Sequence, residues 1–193
     1  SEIMGIGFDD AVNIRIDWGD GSDIQLVNSP GNNSYNTSTI DHTYQNAGVY
    51  NIRIRGNTKR INFCNPKAKP LVTKILSVVQ GINGITSFDY TFTGLENLTG
   101  PIPDGLFDNN PDVTSFSRTF WGGSGLTGPI PDGLFNNNPL VTSFSGTFHR
   151  ASGLTGPIPD GLFDHNPAVT SFNSTFSYAY GLTGPIPDGL FDN

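Results

Sequence analysis

The chain has one cysteine, Cys64, and one methionine in 193 residues, so no internal disulfide can brace it. A lone thiol neither shows nor excludes an oxidising compartment, and a buried apolar site is its expected place. Charge is also scarce: Asp, Glu, Lys and Arg make up only 14% of the residues. With Gly, Ser, Thr, Asn and Pro abundant, that composition favours turns, short strands and short helices over long helices. No apolar run approaches the roughly 18 residues of a membrane helix. The opening SEIMGIGFDDAV lacks the basic start and apolar block of a signal peptide.

Positive charge is nearly missing from the second half. Residues 85–193 carry only Arg118 and Arg150 against ten acids, whereas residues 1–84 carry eight basic and seven acidic side chains. An acidic surface of that kind repels nucleic acid and anionic lipid, so neither is an expected partner. The basic residues between Arg53 and Lys74 read as a solvated connector.

What the chain does have is repetition. ITSFDYTFTGLENLTGPIPDGLFDNNPD at 85–112 returns at 113–140 and at 141–168, and 169–193 begins a fourth copy, with a fixed period of 28 residues. A period of this size marks a solenoid, in which each unit covers its apolar face by stacking on the next. Val113, Phe116, Phe120, Leu126, Ile130, Leu134 and Phe135 are the apolar positions of one unit. Single units cannot bury enough to fold alone. Val113, Phe116 and Phe120 follow Asn110-Pro111 at helical spacing, which predicts an N-capped short helix. LTGPIP is expected to be the extended run, with PDGLFDNN as a tight turn. Ending inside a unit at FDN, without a polar cap, reads as a segment of a longer protein.

The first third is patterned differently. AVNIRIDW at 11–18 alternates as a strand with Val12, Ile14 and Ile16 inward. GDGS at 19–22 is a turn, DIQLV at 23–27 the returning strand, and SPGNNSYNTST at 29–39 a loop. A further strand follows, with Val49, Ile52 and Ile54 inward, and the set suggests a small antiparallel sandwich. WGDGS at 18–22, HTY at 42–44 and AGVYNIRI at 47–54 together resemble the polycystic-kidney-disease (PKD) domain. That resemblance implies an immunoglobulin-like sandwich of extracellular proteins, with its opening strand abbreviated or lost. Trp18 would sit in the core, Gly19 to Gly21 in a turn, and His42 and Tyr44 before the last strands.

Three segments are therefore expected: a sandwich at 1–56, a connector and capping coil at 57–84, and a solenoid at 85–193. In the capping coil, INF and KILSVVQ read as extended, with Ile75, Leu76, Val78 and Val79 shielding Phe88 and Phe92. LTGPIP is similar to plant-type leucine-rich repeats and IPDGLFD to those of extracellular vertebrate receptors. The whole unit, VTSFSxTF…SGLTGPIPDGLF, following a PKD-like domain, most resembles bacterial surface-protein (BspA-type) leucine-rich repeats. Position 118 is variable where a standard leucine-rich strand has an apolar residue, so which segment forms the main sheet stays open. The expected fold class is mainly β with short helices.

Because the units are internal copies, their differences are informative. Variation concentrates at 117–118 and 121–124 and the equivalents. Stacked, these positions would form one stripe: Tyr90, Arg118, Trp121, His149, Arg150, Tyr178 and Tyr180. Trp, Tyr and Arg are enriched at binding hot spots, so the stripe is a candidate ligand surface. Drift in exposed loops is the competing explanation.

No spaced Ser/His/Asp, Cys/His or metal-ligand set occurs, and His42, His149 and His165 lie in unlike contexts. Asp17 and Asp20 fall short of the 6–8 oxygens that Ca²⁺ takes. The Asp104, Asp132, Asp160 and Asp188 series reads as turn chemistry. Neither catalysis, a metal nor a cofactor is expected. Sequons at Asn32, Asn36, Asn97 and Asn173 matter only in a eukaryotic secretory host. The expected function is non-catalytic extracellular adhesion or recognition of a protein or glycan on another surface, at a bacterial cell surface, in secreted form or on a virion. The alternative is a structural stalk or decoration segment with no ligand of its own. Oligomeric state is left open.

Overall fold

The computed structural model describes residues 2–29, 38–64, 71–76 and 81–192. The chain is mainly β, with two sheets and, among the described residues, no helix. Strand β1 (Glu2–Asp9) lies between β4 (Ser38–Tyr44) and β6 (Arg60–Asn62), antiparallel to both. The second sheet runs β3 (Gln25–Ser29), β2 (Ala11–Asp17), β5 (Arg53–Asn57), β7 (Ile82–Asn83), the last pair parallel. Met4, Ile6, Phe8, Ile14, Ile16 and Trp18 are buried in one core, an arrangement compatible with a β-sandwich.

Several sequence expectations fail here for local reasons. The first strand of the chain, β1, is eight residues long and central in its sheet. Val12 is 51% exposed although it alternates with Ile14 and Ile16. One extra residue in β2 shifts its register against both neighbours, and Asn13 takes a left-handed φ of 53°. This β-bulge turns Val12 out and Ala11 in. Gly56 faces the bulge, where a Cβ would stand 2.6 Å from the Asn13 carbonyl oxygen. Val49 precedes β5 rather than belonging to it and is 95% exposed, while Ile52 and Ile54 are half-buried. The strand after the GDGS turn begins at Gln25, two residues late, which leaves Ile24 exposed.

The described part of 57–84 packs against both regions, the sheets and the copies. Its β6 pairs with β1, and its end runs straight into the first 28-residue copy. Phe63 N–H donates to the Thr91 carbonyl, Thr91 Oγ1 donates to the Ile61 carbonyl, and the Phe63 and Phe92 rings stack at 5.9 Å. Ile61 and Phe63 thus do the shielding expected of Leu76, which is 68% exposed. Ile75 is half-buried, and Val78 and Val79 lie outside the described residues. Cys64 is half-buried rather than buried.

In the copies, the seven apolar positions of 113–140 are all buried. The segment after Asn-Pro is not helical, however. Thr119 N–H bonds back to the Phe116 carbonyl and Gly123 N–H to the Phe120 carbonyl, closing two tight turns four residues apart. The intervening amides of Phe116, Arg118, Phe120 and Gly122 donate instead to Ser143, Ser145, Thr147 and His149 of the next copy, at 2.8–3.0 Å. A helix consumes its amides internally and would leave none for the neighbour. Phe116 and Phe120 both face inward because each opens a turn, and position 118 faces out.

Asn110, the expected cap, is likewise redirected. Asn138 Nδ2 donates to the Phe107 and Asn110 carbonyls of the preceding copy, and Asn166 repeats this against Phe135 and Asn138. Buried Thr119, Thr147 and Thr175 hydroxyls reach back to the carbonyls of Phe88, Phe116 and Phe144. LTGPIP contributes only single parallel bridges, such as Gly100 to Leu126.

Three columns of phenylalanine run through the copies. Phe88, Phe116, Phe144 and Phe172 stack at 5.6, 5.7 and 6.0 Å, within 9° of parallel. Phe92, Phe120, Phe148 and Phe176 form a second column, and Phe107, Phe135, Phe163 and Phe191 a third. Burial thins at the fourth copy, where Phe172 and Phe176 are half-buried and Phe191 is 46% exposed.

Phe116→Ala, in the middle of a column, should cost about 3–5 kcal/mol in equilibrium denaturation. Phe191→Ala should cost less than about 2 kcal/mol, because much of that ring is already in water. Equal losses would refute cooperative stacking. Gly100→Ala meets no atom and bears only the left-handed strain of about 1–2 kcal/mol. Gly56→Ala should destabilise clearly more, because it collides with the β2 backbone.

Candidate functional site

The turn ladder creates two outward rows with left-handed backbone. The first is Tyr90, Arg118, Gly146 and Ser174, with φ between 57° and 66°. The second is Gly94, Gly122, Arg150 and Tyr178, with φ between 58° and 73°. Both rows sit at the third residue of a turn, where glycine is least strained. The chain nevertheless places Tyr, Arg and Ser at five of these eight positions.

All seven residues of the sequence-derived stripe fall into one continuous set of contacts. The Arg118 guanidinium donates from Nη1 to the Tyr90 hydroxyl and lies 5.3 Å from the Tyr90 ring centre. It also lies 5.0 Å from the centre of Trp121. Trp121 stacks on His149 at 3.7 Å and 16°. His149 meets Tyr178 edge-on at 5.3 Å, the Arg150 guanidinium lies 5.4 Å from the Tyr178 ring centre, and Tyr178 meets Tyr180 edge-on at 5.9 Å. Gly146 makes room for the indole, since a Cβ there would come within 2.9 Å of Trp121 Cε3.

The seven differ in what they leave open. Trp121 is half-buried and contacts both Arg118 and His149, and His149 is 8% exposed. Tyr178 and Tyr180 are 53% and 78% exposed, and both arginines are exposed. Neither arginine has an ion pair among the described residues, although this half of the chain is acidic. Burial pushes the His149 imidazole pKa below its ordinary 6.5, and the charges of Arg150 and Arg118 push the same way. Its Nδ1 has no hydrogen-bond partner among the described residues, so the neutral ring is held by stacking.

Two features of this face were not read from the sequence. Within the variable stretch, Leu95, Gly123, Ala151 and Ala179 point inward, so one variable position in four belongs to the core. Asp89 anchors a hydroxyl row: Ser115 Oγ and Ser117 N–H both donate to its Oδ1, and Ser117 and Ser143 hydroxyls meet at 2.8 Å. The only signal for it is an acid where sister copies have Ser117, Ser145 and Asn173.

In the first third, Trp18 is buried, stacks on His42 at 4.7 Å, and donates from Nε1 to Gln25. The Tyr44 hydroxyl donates to the Trp18 carbonyl. Asp20 Oδ1 accepts from Ser22 N–H and Oγ, and its Oδ2 lies 2.8 Å from His42 Nε2. The Ser22 and His42 hydrogen bonds, in that order, pull the Asp20 pKa down to about 2. Asp17 accepts from Gly19 N–H and pairs with Arg53. Both carboxylates are thus engaged in holding the turn. Among the described residues no group of three His, Cys, Asp or Glu side chains is placed to hold a metal ion. No described helix is long and apolar enough to cross a membrane.

No family model, curated protein or solved structure matches the chain.

Two titrations should separate in a pH series. Asp20 has a folded pKa below its unfolded one, so its contribution is complete above about pH 4 and is lost as the pH falls toward 2. Asp20→Asn should flatten that acid limb. His149 is held neutral by the fold, so stability should begin to fall already below about pH 6.5, where the unfolded chain protonates first. His149→Gln should remove this earlier limb and leave the Asp20 limb in place. A wild-type stability that is flat from pH 7 to 5 would contradict the buried neutral imidazole.

Proposed function

We propose that the chain is a non-catalytic recognition module of an extracellular surface, secreted, cell-surface or virion-borne. In this reading a PKD-like sandwich carries a leucine-rich-repeat-like solenoid of the BspA type, and the aromatic and arginine stripe contacts a protein or glycan on another surface. The observation that carries it is backbone strain. Tyr90, Arg118, Ser174, Arg150 and Tyr178 occupy left-handed positions that glycine fills in sister copies of the same chain. A non-glycine residue there costs about 1–2 kcal/mol. Mere drift would settle on glycine or on small polar residues, whereas four of the five are Tyr or Arg. Retaining large recognition-type side chains against strain supports a role outside the fold.

A stalk or decoration segment without a ligand is the second reading. It draws on Arg118, Trp121 and His149, whose mutual contacts join neighbouring copies and stiffen the stack.

The combined variant Arg118→Gly, Arg150→Gly, Tyr178→Gly separates the two. Under recognition it should remain folded, with a stability within about 2 kcal/mol of wild type as relieved strain offsets lost contacts. It should also lose the wild-type signal on glycan and protein arrays. A wild-type protein with no array signal would favour the stalk and defeat recognition, and a variant that keeps the signal would defeat the stripe as its contact surface.

A further inference from the structure

The nature of the ligand rests on the recognition reading, under which the stripe has a definite electrostatic character. Eight of the ten acids in residues 85–193 belong to the PDGLFDNNPD-type segment of the unit, at Asp104, Asp132, Asp160 and Asp188 and the positions following them. The two arginines belong to the other segment, in the turn ladder. Each guanidinium is set against aromatic rings, Arg118 by Tyr90 and Trp121 and Arg150 by Tyr178, and neither is neutralised by a carboxylate among the described residues. Both guanidinium charges disfavour protonation of His149, Arg150 from its own copy and Arg118 from the copy before. In an acidic protein, two exposed guanidiniums oriented by aromatics and left without counter-charge form a site for an anion supplied from outside.

The surroundings narrow the chemistry. A peptide is captured by main-chain bonds at an open strand edge, by an apolar anchor in a pocket or, where it is acidic, by clustered arginines, the case that hexaglutamate tests below. At Arg118, Gly122 and Arg150 the amides already donate to the next copy, so at the two arginines the main chain is taken. Two cavities among the described residues lie elsewhere, one of about 560 Å³ between the sheets and the first copy and one of about 220 Å³ beside Phe191. What the stripe presents is two cations and the exposed rings of Tyr178 and Tyr180. Rings of this kind receive the C–H face of a pyranose, and a guanidinium pairs bidentately with a carboxylate.

We propose that the stripe binds an acidic polysaccharide, with Arg118 and Arg150 pairing to its uronate carboxylates and Tyr178 and Tyr180 packing against sugar faces.

The test is titration calorimetry of the full chain with hexagalacturonate, its fully methyl-esterified form as the neutral counterpart, and hexaglutamate as an acidic peptide. Expected are binding of hexagalacturonate that weakens as salt rises, and weaker binding of the ester by about tenfold or more. Arg118→Gln with Arg150→Gln should cause a similar loss, while the paired Lys substitutions should retain part of the affinity. The His149 ring signals, followed by NMR, should titrate at higher pH when hexagalacturonate is bound, because the carboxylates offset the guanidinium charge. A folded Gln variant, checked by its denaturation midpoint, makes a loss attributable to the site. Equal affinity for the ester would overturn the anionic requirement, and equal, arginine-dependent affinity for hexaglutamate would overturn the glycan assignment. Absence of hexagalacturonate binding alongside stripe-dependent hits on arrays would sink this inference but leave recognition standing. Absence of any stripe-dependent hit would sink both.

Discussion

The structure depends on how backbone amides are shared between one copy and the next. In the turn ladder the amides of Phe116, Arg118, Phe120 and Gly122 leave their own copy to meet carbonyls of the next, and those of Thr119, Trp121 and Gly123 close turns at home. Neither set suffices alone: the turns fix the direction of Phe116 and Phe120, and the outgoing bonds fix their register against Phe144 and Phe148. Buried Thr and Asn side chains add a polar thread, bonding to carbonyls across the same boundary. Buried polar groups are costly when unpaired, so any slip of register is penalised twice, in ring packing and in lost partners. This explains why a unit with few apolar residues holds a defined stack.

The same logic governs the junction. Residues 57–84 supply β6, which offers one edge to β1 and continues through Phe63 into the Phe92 column. The sheets and the copies therefore share a core that extends from Met4 to Leu190. A strand paired on one side and stacked on the other transmits order from one region to the next with no loose linker among the described residues of that contact. The ring that covers Phe92 on the side away from Phe120 comes from Phe63, which a reading based on long hydrophobic runs passes over.

The stripe is a by-product of the ladder. Two outward left-handed positions per copy arise from turn geometry, whatever occupies them. Where they hold glycine the backbone is relaxed, and where they hold Tyr, Arg or Ser it carries left-handed strain. Trp121 and His149 sit between these rows and knit them, which leaves the exposed tyrosines and arginines as the chemically open part. The outward series thus mixes residues that support with residues that can meet a ligand, and only their contacts distinguish them.

The repeat period, the seven inward positions and the membership of the stripe were legible in the letters, because internal copies act as controls on one another. The turn at 19–22 was legible from residues whose chemistry is local, whereas the burial of Trp18 was expected only from the PKD-like resemblance. The helix after Asn110 was misread: apolar spacings of three and seven are shared by a helix and by paired turns, and only the destination of the amides tells them apart. Val12 and Val49 were misplaced because one inserted residue or a late strand start reverses which face a side chain meets. Period and composition are local properties and survive in the sequence by themselves. Hydrogen-bond partners one copy away, the bulge opposite Gly56 and the division of the stripe into committed and open residues come into being only when distant segments meet, so the tertiary structure decided them.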